Sequence, residues 1–258
     1  MTRLLLNAPV PCELSFTRRG AGRPYLLLHG GAGPQSVEAF AELLASDGRT
    51  EVITPTHPGF GGTDRPEGLD GMGGLAALYG ELLDRLHLRD VTVIGNSIGG
   101  WTAAELALLH SPRVRAVVLV DAVGIEVDGE PVADVFALSP QELSRLSRHR
   151  PLAPEAAPAP PTPQQRAAMA GNRDALAVYG GGPSMTDPHL RDRLAAVTVP
   201  ALVLWGESDG IVTPAYGRAY AAAIPGARFA LLPGAGHLPQ LETPDRLHAE
   251  IDRFTANL

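Results

Sequence analysis

The chain has 258 residues, 45% of them hydrophobic, which is enough to bury the core of one large domain and excludes general disorder. Lys and Arg number 21 against 28 Asp and Glu, and the net charge of -7 excludes the basic face that nucleic acid or an anionic membrane surface rewards. A single cysteine, Cys12, excludes an internal disulfide framework and points to a reducing cytoplasm, with Cys12 expected as a small strand residue.

The opening MTRLLLNAPVPCELSF holds too short an apolar stretch for a signal peptide, and no stretch is long enough to span a bilayer. Leu4 to Leu6 and Glu13 to Thr17 are predicted as an antiparallel edge pair turned through Pro9 to Pro11. Strand-length apolar runs follow at Tyr25 to His29, Glu51 to Thr54, Val91 to Gly95, Val114 to Asp121, Ala201 to Trp205 and Arg228 to Leu232. Helical spacing separates them at Val37 to Ser46, Leu75 to His87, Ile98 to His110, Ala215 to Ala223 and Thr243 to Asn257. Such alternation predicts an α/β fold, a mainly parallel, doubly wound sheet covered on both faces.

The alternation stops after Asp121 and resumes near Val199. A structureless connection of that length is improbable in a compact domain, so short helices are predicted at Gln141 to Ser147 and Gln164 to Tyr179. Residues 123–195 are read as an inserted cap, and residues 1–122 with 196–258 as the core. Within the cap, the run Pro151 to Pro163 (PLAPEAAPAPPTP) reads as an extended connector. Leu143, Leu176 and Tyr179, apolar in a segment rich in Pro, Ala and Arg, are expected to face a pocket.

Chemistry is concentrated in three places. Val91 to Gly95 leads into Asn96-Ser97-Ile98-Gly99-Gly100, an apolar strand ending in Gly-x-Ser-x-Gly before a helix. The glycines are needed because side chains two positions either side of a serine on so tight a turn would collide; the turn lifts the Ser97 hydroxyl clear and sets the Ile98 amide at a helix N-terminus. A serine hydroxyl needs a base, and the base needs an orienting acid. His237, in Gly234-Ala-Gly-His237-Leu-Pro, and Asp209, in Gly206-Glu-Ser-Asp209-Gly-Ile-Val, both follow strands and come in the order serine, acid, histidine. Asp121 also follows a strand and competes as the acid, with Asp209 preferred. The loop His29-Gly30-Gly31-Ala32-Gly33 offers Gly31 as a second amide donor beside Ile98; it lacks the spacing of a nucleotide-binding loop, and His29 is expected to hold the loop. His87, His110, His149, His189 and His248 are expected as surface or packing residues.

These pieces together resemble the α/β-hydrolase superfamily across almost the whole core: His29-Gly-Gly, His57-Pro-Gly-Phe-Gly-Gly-Thr-Asp, Gly95-Asn-Ser97-Ile-Gly-Gly, Trp205-Gly-Glu-Ser-Asp209 and Gly236-His237-Leu-Pro-Gln-Leu-Glu-Thr-Pro. The resemblance implies the α/β-hydrolase fold, a triad of Ser97, Asp209 and His237, an oxyanion hole of Gly31 and Ile98, and a cap roofing the pocket. Asn96 and the glycine-rich loop are also similar to hydrolases that cleave carbon-carbon bonds in ring-fission products. Those enzymes usually carry tryptophan after the histidine, where this chain has Leu238, and need a cap arginine, for which Arg145, Arg148, Arg166 and Arg173 are candidates. Haloalkane dehalogenases and epoxide hydrolases place aspartate where Ser97 stands.

The expected activity is therefore a serine hydrolase acting on an ester or related carbonyl compound through an acyl-enzyme. Its alternatives are a carbon-carbon bond hydrolase of ring-fission diketones and a non-hydrolytic ligand-binding protein on the same fold. A small-molecule substrate is the expected partner, a homodimer is left open, and no metal or organic cofactor is implied.

Overall fold

The computed structural model of the protein describes residues 1–151 and 162–258. Among these, one sheet is built from β1 (Thr2–Leu6), β2 (Cys12–Gly20), β3 (Arg23–Leu28), β4 (Thr50–Pro55), β5 (Val91–Asn96), β6 (Val114–Val120), β7 (Ala201–Gly206) and β8 (Arg228–Leu232). Their order is β1-β2-β4-β3-β5-β6-β7-β8. β1 pairs antiparallel with β2 and β2 antiparallel with β4, while the remaining pairs are parallel. The chain moves from β3 outward to β4 and then crosses back to β5, so the strand order reverses between β3 and β5. In open α/β sheets the crevice at that reversal, beyond the carboxyl ends of the strands, is where ligands gather.

Both faces of the sheet are covered, and successive strand residues feed opposite layers. Leu26 and Leu28, Val91 and Val93, Val117 and Leu119, and Val203 and Trp205 pack on one side with α2 (Met72–Arg85), α3 (Ile98–Leu108) and α7 (Pro214–Ala223). Tyr25 and Leu27, Ile94, Val118, and Leu202 and Leu204 pack on the other with α1 (Glu38–Ala45) and α9 (Pro244–Thr255). α3 is buried from Ile98 to Ala107, which explains why its sequence is largely apolar all round, with Glu105 paired to Arg193 as the charged exception.

The predicted N-terminal pair proves to be the start of the main sheet. β2 runs on to Gly20, and Phe16 to Gly20 pair with β4. Its second half alternates half-buried with exposed residues, so the apolar pattern fades while the strand continues. α2 begins three residues before the predicted Leu75, across Gly73 and Gly74, and a short helix α8 (Pro239–Glu242), not predicted, precedes α9.

Between β6 and β7 the chain forms α4 (Pro140–Ser147), α5 (Pro163–Tyr179) and the single turn α6 (Leu190–Arg193). α4 and α5 each open with a capping box, Ser139 with Glu142 and Thr162 with Gln165, and with proline at the first helical position. Of the extended run predicted from Pro151 to Pro163, residues 152–161 lie outside the described residues, and Pro163 starts α5. Among the described residues no helix is long and apolar enough to cross a membrane.

Candidate active site

β3, β5, β7 and β8 deliver their following loops to one edge of the sheet. At the end of β5 the backbone of Ser97 adopts φ 56° and ψ -118°, a left-handed conformation that is strained for any residue with a side chain. Its neighbours make the turn sterically feasible. A Cβ on Gly95 would lie 2.0 Å from the Gly99 carbonyl oxygen, and one on Gly99 would lie 2.4 Å from that of Leu28. The strained residue is held at both ends: Ser97 N donates to Val120 O (2.9 Å), and Ser97 O accepts from Trp101 N (3.0 Å).

Asp209 and His237 come to Ser97 from the loops after β7 and β8. Asp209, 4% exposed, accepts at Oδ1 from the amides of Ile211 (2.8 Å) and Val212 (3.2 Å), which leaves Oδ2 aimed at His237 Nδ1, 2.8 Å away. On the far side of the imidazole, Nε2 lies 3.0 Å from Ser97 Oγ. With the Nδ1 proton committed to the carboxylate, Nε2 is the acceptor for the Ser97 hydroxyl. Asn96 ties the elbow to the histidine loop, donating from Nδ2 to His237 O (3.0 Å) while Gln240 Nε2 donates to Asn96 Oδ1 (3.2 Å).

Asp121, the competing acid, does not reach His237. Its Oδ1 accepts from Gly206 N (2.7 Å), bracing the end of β6 against the end of β7. Complete burial, and next the charge of Asp209 beside it, push this carboxyl well above the usual carboxylate range. The charged form is thereby disfavoured at Asp121.

Of the two amides expected to serve an oxyanion, one lies in the first turn of α3 and the other in the loop after β3. Ile98 N–H sits in the first turn of α3, where no intrahelical acceptor exists. Gly31 lines the cavity, and the preceding Gly30 packs so tightly on the elbow that a Cβ there would lie 2.9 Å from Asn96 Oδ1. Beneath this loop His29 and His57, both fully buried, form a closed pair. His29 donates from Nδ1 to Gly30 O (2.8 Å) and accepts at Nε2 from His57 N (3.0 Å); His57 donates from Nε2 to His29 O (2.8 Å), and the Tyr79 hydroxyl donates to its Nδ1. Burial lowers both imidazoles, His57 to about 4, so both are neutral at neutral pH. His29 thus holds the loop as expected, whereas the part played by His57 and Tyr79 was not foreseen.

Over Ser97 lies a cavity of about 500 Å³. Its apolar wall includes Phe136, Leu138, Leu143, Met169 and Leu176 from the β6–β7 segment, and Leu238. Leu143 and Leu176 therefore stand where expected. Tyr179 does not: its hydroxyl donates to Pro58 O (2.9 Å) and its ring stacks on Phe60, so it is a packing residue that anchors α5 to the loop after β4. Of the four candidate arginines, only Arg173 lines the cavity; it donates to Phe136 O, and its guanidinium lies 5.3 Å from the centre of the Phe136 ring. His87, His110, His149 and His189 are exposed, and half-buried His248 pairs with Asp252. Among the described residues no group of three or more His, Cys, Asp or Glu is placed to hold a metal ion.

Residues 25–250 match the model of the alpha/beta hydrolase family, and the chain belongs to that family. BpoC of Mycobacterium tuberculosis, named for a non-heme bromoperoxidase, is 28% identical over 95% of this chain and 98% of its own. The 2-hydroxymuconate semialdehyde hydrolase of Pseudomonas putida is 29% identical, covering 92% of this chain and 89% of the relative. Among solved structures, a thermophilic esterase from Thermogutta terrifontis superposes with a TM-score of 0.74 at 24% identity, covering 100% of this chain and 99% of that one, a likeness of fold. Membership and sequence relatives support hydrolase activity.

Proposed function

We propose that the protein is a serine hydrolase that cleaves an ester or related carbonyl compound through an acyl-enzyme. The observation that carries this reading is the unbroken relay from Asp209 Oδ2 to His237 Nδ1 (2.8 Å) and from His237 Nε2 to Ser97 Oγ (3.0 Å), opening onto an apolar cavity. Ser97 Oγ attacks the carbonyl carbon as its proton passes to His237 Nε2, and the carbonyl electron pair collects on an oxygen that faces the Gly31 and Ile98 amides. When the tetrahedral adduct collapses, His237 gives that proton to the departing alkoxide. Water, deprotonated by the same nitrogen, then attacks the acyl-serine; Ser97 regains the proton as the carboxylic acid leaves. Asp209 holds the imidazole tautomer and stabilises the transient imidazolium. The described residues of 123–195 act as a cap over this centre, limiting water and shaping the substrate.

A second reading, cleavage of a carbon-carbon bond in a ring-fission diketone, draws on the identity to the semialdehyde hydrolase. An ester is favoured because the cavity wall is largely apolar and Arg173 is already engaged with Phe136. Labelling with a fluorophosphonate, followed by turnover of a nitrophenyl ester series beside a coloured ring-fission diketone, tests both. Wild-type enzyme that resists the label while Ser97 is accessible removes the serine mechanism; a labelled enzyme that turns over only the diketone establishes the second reading.

A further inference from the structure

The motif that contains His237 continues through Glu242, whose side chain lies outside the proton path and folds back toward the histidine. Its Oε2 accepts from Gly236 N (2.8 Å), the amide immediately before His237. Its Oε1 accepts from His149 N (3.0 Å) and Arg150 N (3.4 Å), the amides just beyond α4. One carboxylate therefore joins the base loop to the end of a helix whose Leu143 and Ser147 line the cavity.

The same helix end reaches into the catalytic loops from the opposite direction. Leu146 O accepts from Gly210 N (2.8 Å), next to Asp209, and Ser147 O accepts from His237 N itself (2.9 Å). A side chain at Gly236 would prevent this approach, since its Cβ would lie 2.6 Å from Ser147 O, and one at Gly210 would crowd it, its Cβ 3.0 Å from the Leu146 side chain. The last two carbonyls of α4, which have no acceptor role inside the helix, thus hold the loops of acid and base, and Glu242 closes the ring. Hydrogen bonds to an ionised carboxylate are roughly twice as strong as neutral ones, which suits Glu242 to hold a loop with two glycines, Gly234 and Gly236.

Resting on the proposed roles of Ser97, His237 and Asp209, we propose that Glu242 is a positioning residue for His237 and makes α4 part of the frame that orients the base. Substrate pressed against Leu143 and Ser147 then bears on the imidazole through backbone hydrogen bonds rather than through the reacting atoms alone.

The test compares wild type, Glu242→Ala, Glu242→Gln and Glu242→Asp on a short-chain nitrophenyl ester. It measures kcat and KM per active site titrated with fluorophosphonate, the rate of that labelling, and Tm by circular dichroism. Misplacing a catalytic group by about 1 Å costs on the order of 10²-fold, so Glu242→Ala should lower kcat and the labelling rate by about that factor, with KM within about threefold. Glu242→Gln keeps one acceptor oxygen for Gly236 N but sets an NH2 group against the amides beyond α4, so it should recover only part of the loss. A kcat per titrated site within about threefold of wild type, or a change confined to KM or Tm, overturns the proposal. Should Glu242→Ala not fold, Glu242→Asp decides, since it keeps the charge on a shorter arm: a kcat loss of about tenfold at unchanged KM supports the role, and a loss below about threefold overturns it. Wild-type enzyme that neither labels nor hydrolyses would instead remove the catalytic reading beneath it.

Discussion

The floor and the roof of the cavity are built on opposite principles. The floor, from Gly30 through Ser97 to His237, is held by backbone: glycines that admit no Cβ, a strained serine, and amides and carbonyls locked pairwise. The roof is made of aliphatic and aromatic side chains on α4, α5 and the connection before them, with α5 tied down through Asn172 Oδ1 to Gly61 N (2.8 Å) and through Tyr179 to Pro58. Backbone geometry allows few alternatives, so the floor suits chemistry, which tolerates little displacement. Side-chain volume varies in small steps, so the roof suits selectivity.

If this division is right, changes to the floor should alter rate by orders of magnitude with little effect on stability. Ser97→Ala is the largest. In a serine triad, removal of the nucleophile costs on the order of 10⁶ in kcat, and here the hydroxyl lies on a turn facing the cavity, so Tm should be nearly unchanged. Ester turnover and a melting curve on the same preparation check both halves. Retention of more than about 1% of turnover would move the nucleophile elsewhere.

Next come the two aspartates. Asp209→Asn presents the wrong imidazole tautomer and should lower kcat by about 10⁴. Asp121→Asn replaces a carboxyl whose charged form is disfavoured by burial and keeps an oxygen for Gly206 N, so its loss should stay within about tenfold, or about 1.4 kcal/mol of transition-state stabilisation. The reverse ranking would assign the acid to Asp121.

The floor also carries a stability cost in acid. His57 is buried neutral with its pKa lowered to about 4, whereas an unfolded histidine titrates near 6.5. Below about pH 6.5 the unfolded chain binds a proton that the folded site refuses, so stability present above that pH falls as the pH drops and levels off near pH 4. The span corresponds to about 3 kcal/mol from His57 alone, with His29 adding to it in the same direction. Urea midpoints between pH 7 and 4 measure this; for His57→Gln the slope over that window should be shallower, and an unchanged slope would locate the acid sensitivity elsewhere.

The same division explains what could be read from the sequence. The elbow around Ser97 was legible because much of its requirement is local: Gly95 and Gly99 stand two residues either side of the serine, and a Cβ on Gly95 would meet the Gly99 carbonyl, although the bar to a Cβ on Gly99 comes from Leu28 O on β3. Asp209 and Asp121 were harder to separate, since both follow strands and only the packing of β6 against β7 sends one to His237 and the other to Gly206 N. The support of the loop after β3 by His57 and Tyr79 was hidden, because contacts across 28 and 22 residues leave no periodicity. In the β6–β7 segment the helices were legible from their spacing, but not the direction of their faces. Leu176 and Tyr179 lie three residues apart on α5, yet that face straddles the cavity and the loop holding Pro58 and Phe60.

That straddling face gives the mildest and most discriminating comparison. Leu143 lines the cavity and is 37% exposed, so Leu143→Ala should enlarge the acyl pocket while leaving Tm within a few degrees of wild type. A pocket contact of one or two methylenes changes relative kcat/KM by about 1–3 kcal/mol, so the preference for longer acyl chains should shift by about tenfold across a nitrophenyl ester series. Tyr179→Phe should do the opposite. It removes the hydroxyl that satisfies Pro58 O but keeps the ring against Phe60, costing about 1 kcal/mol, or roughly 2–4 °C in Tm for a chain of this size, with the chain-length profile unchanged. A selectivity shift from Tyr179→Phe and none from Leu143→Ala would mean that substrate runs between α5 and the loop after β4 rather than under α4, and the roof would have to be redrawn on that side.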